Sequence, residues 1–160
     1  MVFRQLNQIS ELQVLPMPNM AELIEQLHGF KYFSTIDLGN AYYQVELEEE
    51  SQEKTAFSTR SDQFCFQRMP LGIAVAPGTF QEIMTRVLQP ISKGTSVYLD
   101  DILIATHTEE EHYQILERVL QRIEEAGLRV KPAKCKLLCD EVKFLGHVVN
   151  KRGIQIRDIL

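Results

Sequence analysis

Apolar residues along this chain recur with two periods, and each change of period marks the border of an element. Asn19 is a good N-cap ahead of an apolar-periodic stretch, which predicts a helix over 20–27 closed by Gly29, with Pro16 and Pro18 marking an extended lead-in. Segments 32–38 and 43–47 are rich in β-branched and aromatic residues and read as strands. Segments 54–58 and 63–68 form a hairpin around Arg60-Ser61-Asp62. Pro77 suits the first turn of a helix running to about Leu88. The apolar runs 95–99 and 102–106 are separated only by Asp100-Asp101, the spacing of a tight hairpin. The clearest helix is 109–126, with Ile115, Val119, Leu120 and Ile123 on one face and Gly127 at its end. Segments 141–150 and 153–156 predict a final hairpin. Short hairpin-paired strands interleaved with helices predict an α+β fold, a mostly antiparallel sheet packed on helices.

Composition narrows the class. The 160 residues suit a single unit, and 44% hydrophobic with 24% charged residues is an ordinary globular balance. No apolar run approaches the roughly 18 residues that would span a bilayer, and no secretory signal opens the chain, so an intracellular protein with no membrane partner is expected. Both ends read as cuts: Met1-Val2-Phe3-Arg4 enters mid-pattern, and Ile159-Leu160 stops as a new segment begins. Cys65, Cys135 and Cys139 form no CxxC pair, and His147 supplies no complete zinc set with them, so reduced thiols are expected. The net charge of −5 argues mildly against nucleic-acid binding, but acid crowds into 46–53 and 109–111 while basic residues gather in 129–136 and 143–157.

The chemistry lies in three carboxylates. Successive strand residues point to opposite faces, so Asp100 and Asp101 cannot enter one core unless the chain reverses there. On its own this pair reads as readily as a solvated turn. Asp37 changes that reading, because it ends a second apolar strand ahead of Gly39 and Asn40. If the two strands are neighbours, three hard oxygen ligands converge at their ends, a donor set that suits Mg²⁺. Two such ions about 4 Å apart can activate an attacking hydroxyl and stabilise a leaving oxygen.

With those residues in place, the sequence resembles the reverse transcriptases of gypsy-class LTR retrotransposons and their retroviral relatives. The blocks follow in family order: Phe33-Ser34-Thr35-Ile36-Asp37-Leu38; Lys54-Thr55-Ala56-Phe57; Arg68-Met69-Pro70-Leu71-Gly72 with Ala76-Pro77-Gly78-Thr79-Phe80-Gln81; Tyr98-Leu99-Asp100-Asp101-Ile102-Leu103; Ala126-Gly127-Leu128 with Pro132-Ala133-Lys134-Cys135; and Phe144-Leu145-Gly146-His147-Val148-Val149. The likeness runs from Phe3 to Ile154.

That resemblance implies a polymerase palm with part of the fingers over residues 1–160, with the upstream fingers, thumb, connection and RNase H regions lying elsewhere in a retroelement polyprotein. It implies an RNA-directed DNA polymerase that adds deoxynucleotides to a primer 3′-hydroxyl through two Mg²⁺ ions, with Mn²⁺ as an alternative. Asp37, Asp100 and Asp101 would be catalytic metal ligands, assisted by the Leu38 carbonyl. Tyr42, Leu71, Gly72 and Lys134 would meet the deoxynucleoside triphosphate, Tyr42 beneath its sugar and Lys134 near the leaving pyrophosphate. Gln81, Tyr98, Leu99, Leu145, Gly146 and His147 would meet primer and RNA or DNA template. Such an enzyme would work in a cytoplasmic particle or the nucleus. The alternative is a catalytically idle remnant serving as an RNA- or protein-interaction module. Ala74, Val75 and Gly78 depart from the family pattern.

Overall fold

The structure, a computed structural model, describes residues 3–11 and 17–156; Pro16 of the expected lead-in, like Met1, Val2, Ile159 and Leu160, lies outside them. Helix α1 (Arg4–Ile9) is short and was not among the expected elements. Helix α2 (Met20–Glu25) begins where the cap predicts, with the Asn19 side chain accepting from the Ala21 amide, and the chain turns away at Gly29 with φ +86°. Strand β1 (Tyr32–Asp37) follows.

The expected strand over 43–47 is not formed. Residues Ala41–Gln44 make a 3-10 turn instead, entered through Asn40 in the left-handed region at φ 52°. The physical reason is Gln44: its amide donates to the carbonyls of Leu38, Gly39 and Arg129, and its oxygen accepts from the Arg129 amide at 2.6 Å. Those bonds draw the backbone into a coil that strand propensity does not encode. Only an isolated Glu46–Arg68 bridge remains of the expected strand.

Helix α3 (Glu49–Glu53) lies in the acidic stretch. The hairpin around Arg60-Ser61-Asp62 is present in shortened form, β2 (Phe57–Ser58) against β3 (Gln63–Phe64). Helix α4 (Ala76–Leu88) has its proline in the first turn. Strands β4 (Thr95–Tyr98) and β5 (Asp101–Thr106) form the tight hairpin, and α5 (Glu109–Glu125) runs as its periodicity predicts, capped by Thr108. Leu120 is the one member of its expected apolar face that is left exposed. Strand β6 (Lys136–Cys139) was not anticipated; β7 (Glu141–Phe144), β8 (His147–Asn150) and β9 (Gly153–Ile156) form an antiparallel meander where a hairpin was expected.

The main sheet has the order β4-β5-β1-β6, every neighbouring pair antiparallel. It is covered on both faces, which explains the unbroken apolar run of β5. Ile102 and Ile104 face α4 and α5 together with Ile36, Phe80, Met84, Val119 and Ile123. Leu103 and Ala105 face the meander together with Phe33, Val142, Phe144 and Val149. No described helix is long and apolar enough to cross a membrane.

A buried polar junction ties the layers. His112 of α5 is fully buried, 2.6 Å from the Ser34 hydroxyl of β1 and 2.9 Å from the Thr106 hydroxyl of β5, while the Leu138 amide of β6 donates to the same Ser34 oxygen. Burial pushes the His112 imidazole below its ordinary value of 6.5, with Glu111 opposing weakly. A histidine held neutral in the fold must charge at low pH, and the unfolded chain then binds the extra proton. Its contribution is therefore fully present above about pH 6.5 and is lost as pH falls toward the lowered folded value. We expect urea midpoints to drop between pH 7.5 and 5.5, and His112→Gln to flatten that slope; an equal slope in both proteins would contradict the assignment.

Candidate active site

Antiparallel register sets two carboxylates side by side. Asp37, the last residue of β1, lies directly opposite Asp101, the first of β5. Alternation places both on the meander side of the sheet, the side of Thr35, Leu103 and Phe33. Like charges directly opposite each other on neighbouring strands repel. Asp100 adds a third at the turn. Burial, and then the charges of Asp100 and Asp37, push the Asp101 carboxyl above the usual range, with Lys134 partly offsetting them.

Asp37 is firmly held. One carboxylate oxygen accepts from the Gly39 amide at 2.7 Å, the other lies 3.2 Å from Lys134 Nζ, and its carbonyl accepts from the Lys131 amide at 2.8 Å. The Lys134 pair is half-exposed and contributes little to stability. Gly39 has a close neighbour as well: with φ at +51°, a Cβ there would stand 2.8 Å from Lys131 Cβ. We expect Gly39→Ala to cost about 2 kcal/mol through backbone strain and this clash. A thermal melt checks it; an unchanged Tm would show that the contact between the Asp37–Gly39 segment and Lys131 is looser than its geometry.

Around the pair lies a cavity of about 260 Å³ lined by Thr35, Asp37, Asp101, Lys134, Lys136, Lys143 and Phe144. Three lysines from the stretch 134–143 thus meet two aspartates from strands far apart in the sequence. Sequence reasoning singled out Lys134 but passed over Lys136 and Lys143; the uneven spread of basic residues was the available signal.

The other expected site residues divide by location. Tyr42 packs its ring edge-on against Phe80, with centroids 5.5 Å apart at 62°, and burial followed by the charge of Asp100 pushes its hydroxyl above 10.0. The Leu38 carbonyl receives the Gln44 amide, so one of its lone pairs is already used. Leu71 is exposed, and Gly72 sits at φ +96°. Asn7, which was not singled out as a site residue, clamps that loop: its amide donates to the Gly72 carbonyl and accepts from the Ala74 amide, both at 2.8 Å. Tyr98 is half-buried beside Asp101 in register, and Leu99 stands in the left-handed region at φ 55°. Leu145 and Gly146, at φ 50° and 78°, make the two-residue turn between Phe144 and His147. His147 Nδ1 lies 2.8 Å from the Leu145 carbonyl.

Gln81 was expected to meet primer and template from its helix. In the fold it is buried, with 3% exposure. Its amide reaches across to the β4–β5 hairpin rather than outward.

The donor set fits a divalent cation in kind: hard carboxylate oxygens, crowded and mutually repelling, at the mouth of a polar cavity. Among the described residues, however, no three His, Cys, Asp or Glu side chains gather closely enough to enclose an ion by themselves. An Mg²⁺ ion commonly keeps several waters and shares substrate phosphates, so an enclosing cage is not what such chemistry requires.

Comparison with known proteins agrees with this geometry. The profile of the reverse transcriptase (RNA-dependent DNA polymerase) family matches residues 1–149. The chain is 42% identical over 154 residues to the retrovirus-related Pol polyprotein from transposon 297 of Drosophila melanogaster, covering 96% of this chain and 14% of that polyprotein. It is 34% identical over 152 residues to the corresponding polyprotein from transposon gypsy of the same fly, covering 94% and 15%. Among solved structures, the foamy viral protease-reverse transcriptase in complex with RNA/DNA hybrid superposes with a TM-score of 0.90 at 34% identity, covering 98% of this chain and 21% of that one. The chain thus spans a small part of the length of these relatives.

Proposed function

Because the chain belongs to the reverse transcriptase family, we propose that it carries the polymerase centre of an RNA-directed DNA polymerase, extending a primer on an RNA or DNA template with deoxynucleoside triphosphates. The observation that carries this reading is the register pairing of Asp37 with Asp101, with Asp100 beside them at the turn.

Asp37, Asp100 and Asp101 would hold two divalent ions, Mg²⁺ or Mn²⁺, whose charge would activate the primer hydroxyl and stabilise the leaving oxygen. The chain's own residues supply positioning and charge. Lys134, resting against Asp37, is placed to neutralise the pyrophosphate as it leaves. Tyr42, wedged on Phe80 and facing the charge of Asp100, gives the incoming sugar a rigid floor. Leu71 and Gly72, clamped by Asn7, border the nascent base pair. The turn of Leu145 and Gly146 with His147, together with Tyr98 and Leu99, receives the primer end.

The relatives are several times longer, and in our reading this segment is the palm with part of the fingers of such a polyprotein, working inside the cell in a cytoplasmic particle or the nucleus. Duplex affinity and triphosphate binding then rest partly on flanking regions, because an acidic chain holds phosphates weakly. Misplacement of reacting groups by about 1 Å costs roughly a hundredfold. We therefore expect the 160-residue chain alone to extend a primer little or not at all at low salt, and a longer chain carrying its flanks to do so with Mg²⁺. Comparable rates from the two would overturn the division of labour. Absence of extension by the longer chain would overturn the polymerase reading itself.

A further inference from the structure

We propose that Gln81 is a positioning residue for the catalytic turn: its buried amide holds Leu99 in the left-handed region and so sets where Asp100 stands. The inference rests on the polymerase reading above.

Gln81 sits on the apolar face of α4, among Phe80, Met84 and Leu88, each with at most 2% exposure. An amide in such a place is costly unless both of its ends are satisfied. Both are. The side-chain oxygen accepts from the Leu99 amide at 2.6 Å, and the nitrogen lies 3.3 Å from both the Val97 carbonyl and the Thr85 hydroxyl. Thr85 gives its own proton to the Gln81 carbonyl, which leaves its oxygen free to receive the amide. One side chain therefore grips the backbone on both sides of Tyr98.

The turn needs such a grip. Tyr98 pairs with Asp101, so Leu99 and Asp100 are the whole loop. Leu99 has φ at +55°, and Asp100 is not among the positive-φ residues. Positive φ at only the first loop position is the pattern of a type II′ turn, where glycine is the usual occupant. A leucine there is strained, and strain of this kind persists only where the surroundings over-determine it. The Leu99 amide would have no acceptor in the two-stranded ladder, and Gln81 provides one. Asp100 follows Leu99 directly, so any relaxation of the Leu99 backbone swings its carboxylate away from Asp37 and Asp101.

The experiment uses Gln81→Met, which keeps volume but removes the amide, and Gln81→Glu, which keeps an acceptor for the Leu99 amide. Each is made alone and with Leu99→Gly. In the 160-residue chain, the Leu99 amide should exchange slowly with solvent in wild type and about a hundredfold faster in Gln81→Met, while Ile102 and Leu103 keep their protection. In the longer chain, Gln81→Met should lower kcat by about tenfold or more and raise the Mn²⁺ concentration needed for half-maximal extension, with primer–template affinity unchanged. Gln81→Glu should recover part of both. In the Leu99→Gly background, removing the amide should cost much less, since glycine adopts the turn without being held.

Equal Leu99 exchange in wild type and Gln81→Met would overturn the proposal, as would a kcat loss of the same size with and without Leu99→Gly. If Gln81→Met fails to fold, Gln81→Glu decides by the same two readouts. Failure of wild-type extension would count against the polymerase reading, while the exchange measurement would still test the grip.

Discussion

Asp100→Ala, made in a chain long enough to extend primers, is expected to lower polymerisation by about a thousandfold or more. Removing one of three carboxylates from a two-metal centre forfeits several kcal/mol of transition-state stabilisation, and each 1.36 kcal/mol is about tenfold in rate. The site already shows the crowding that a cation relieves: burial and then the charges of Asp100 and Asp37 push the Asp101 carboxyl upward, and Lys134 opposes them. Divalent metal should therefore raise the Tm of the wild-type protein. Asp100→Ala should melt no lower than wild type without metal and gain less when metal is added. Retained extension at more than a tenth of the wild-type rate would remove Asp100 from the ligand set, and an identical metal-induced Tm shift would do the same.

The second large effect concerns sugar choice. Tyr42 follows the left-handed Asn40 in a 3-10 turn and is braced edge-on by Phe80, so its ring has little freedom to retreat from an extra hydroxyl. Tyr42→Ala removes that floor. We expect the preference for deoxynucleotides over ribonucleotides to fall by about a hundredfold while deoxynucleotide use survives. Loss of the ring contact with Phe80 should also cost about 1 kcal/mol of stability. Single-nucleotide insertion with matched ribo- and deoxynucleoside triphosphates is the measurement. Equal discrimination by mutant and wild type would leave Tyr42 with a packing role only.

What could be read in advance, and what could not, follows from the range of the forces involved. The β4–β5 hairpin and α5 were legible because their signals are local: two apolar runs around Asp100-Asp101, and Ile115, Val119 and Ile123 at helical spacing. The opposition of Asp37 to Asp101 rests on a single long-range pairing, which the sequence left conditional on the two strands being neighbours. The 3-10 turn at 41–44 was not legible, since it depends on a glutamine side chain meeting backbone 85 residues away at Arg129. Strand β6 escaped for a similar reason: Lys136 and Leu137 are exposed, and pairing with β1, not burial, makes it a strand. Gln81 was read from the sequence as a primer and template contact. Only the fold shows that its helix position faces the strained turn.

The position of β1 in the sheet bears on how the protein is made. Its partners are β5 on one side and β6 on the other, and the Ser34 hydroxyl meets the Leu138 amide across 104 positions of sequence. On a ribosome, β1 and the β4–β5 hairpin emerge long before β6. At about 5–20 residues per second, the stretch from Thr106 to Cys139 takes roughly 2–7 s to appear. For that interval the edge of β1 that ends in Asp37 is open, an unpaired row of backbone donors and acceptors that invites wrong partners. Lys131, Lys134 and β6 arrive together as the closing piece. The carboxylate site is thus completed only once β6 has emerged, and nascent chains stalled before Lys131 should expose the strand that the folded protein keeps inside its sheet.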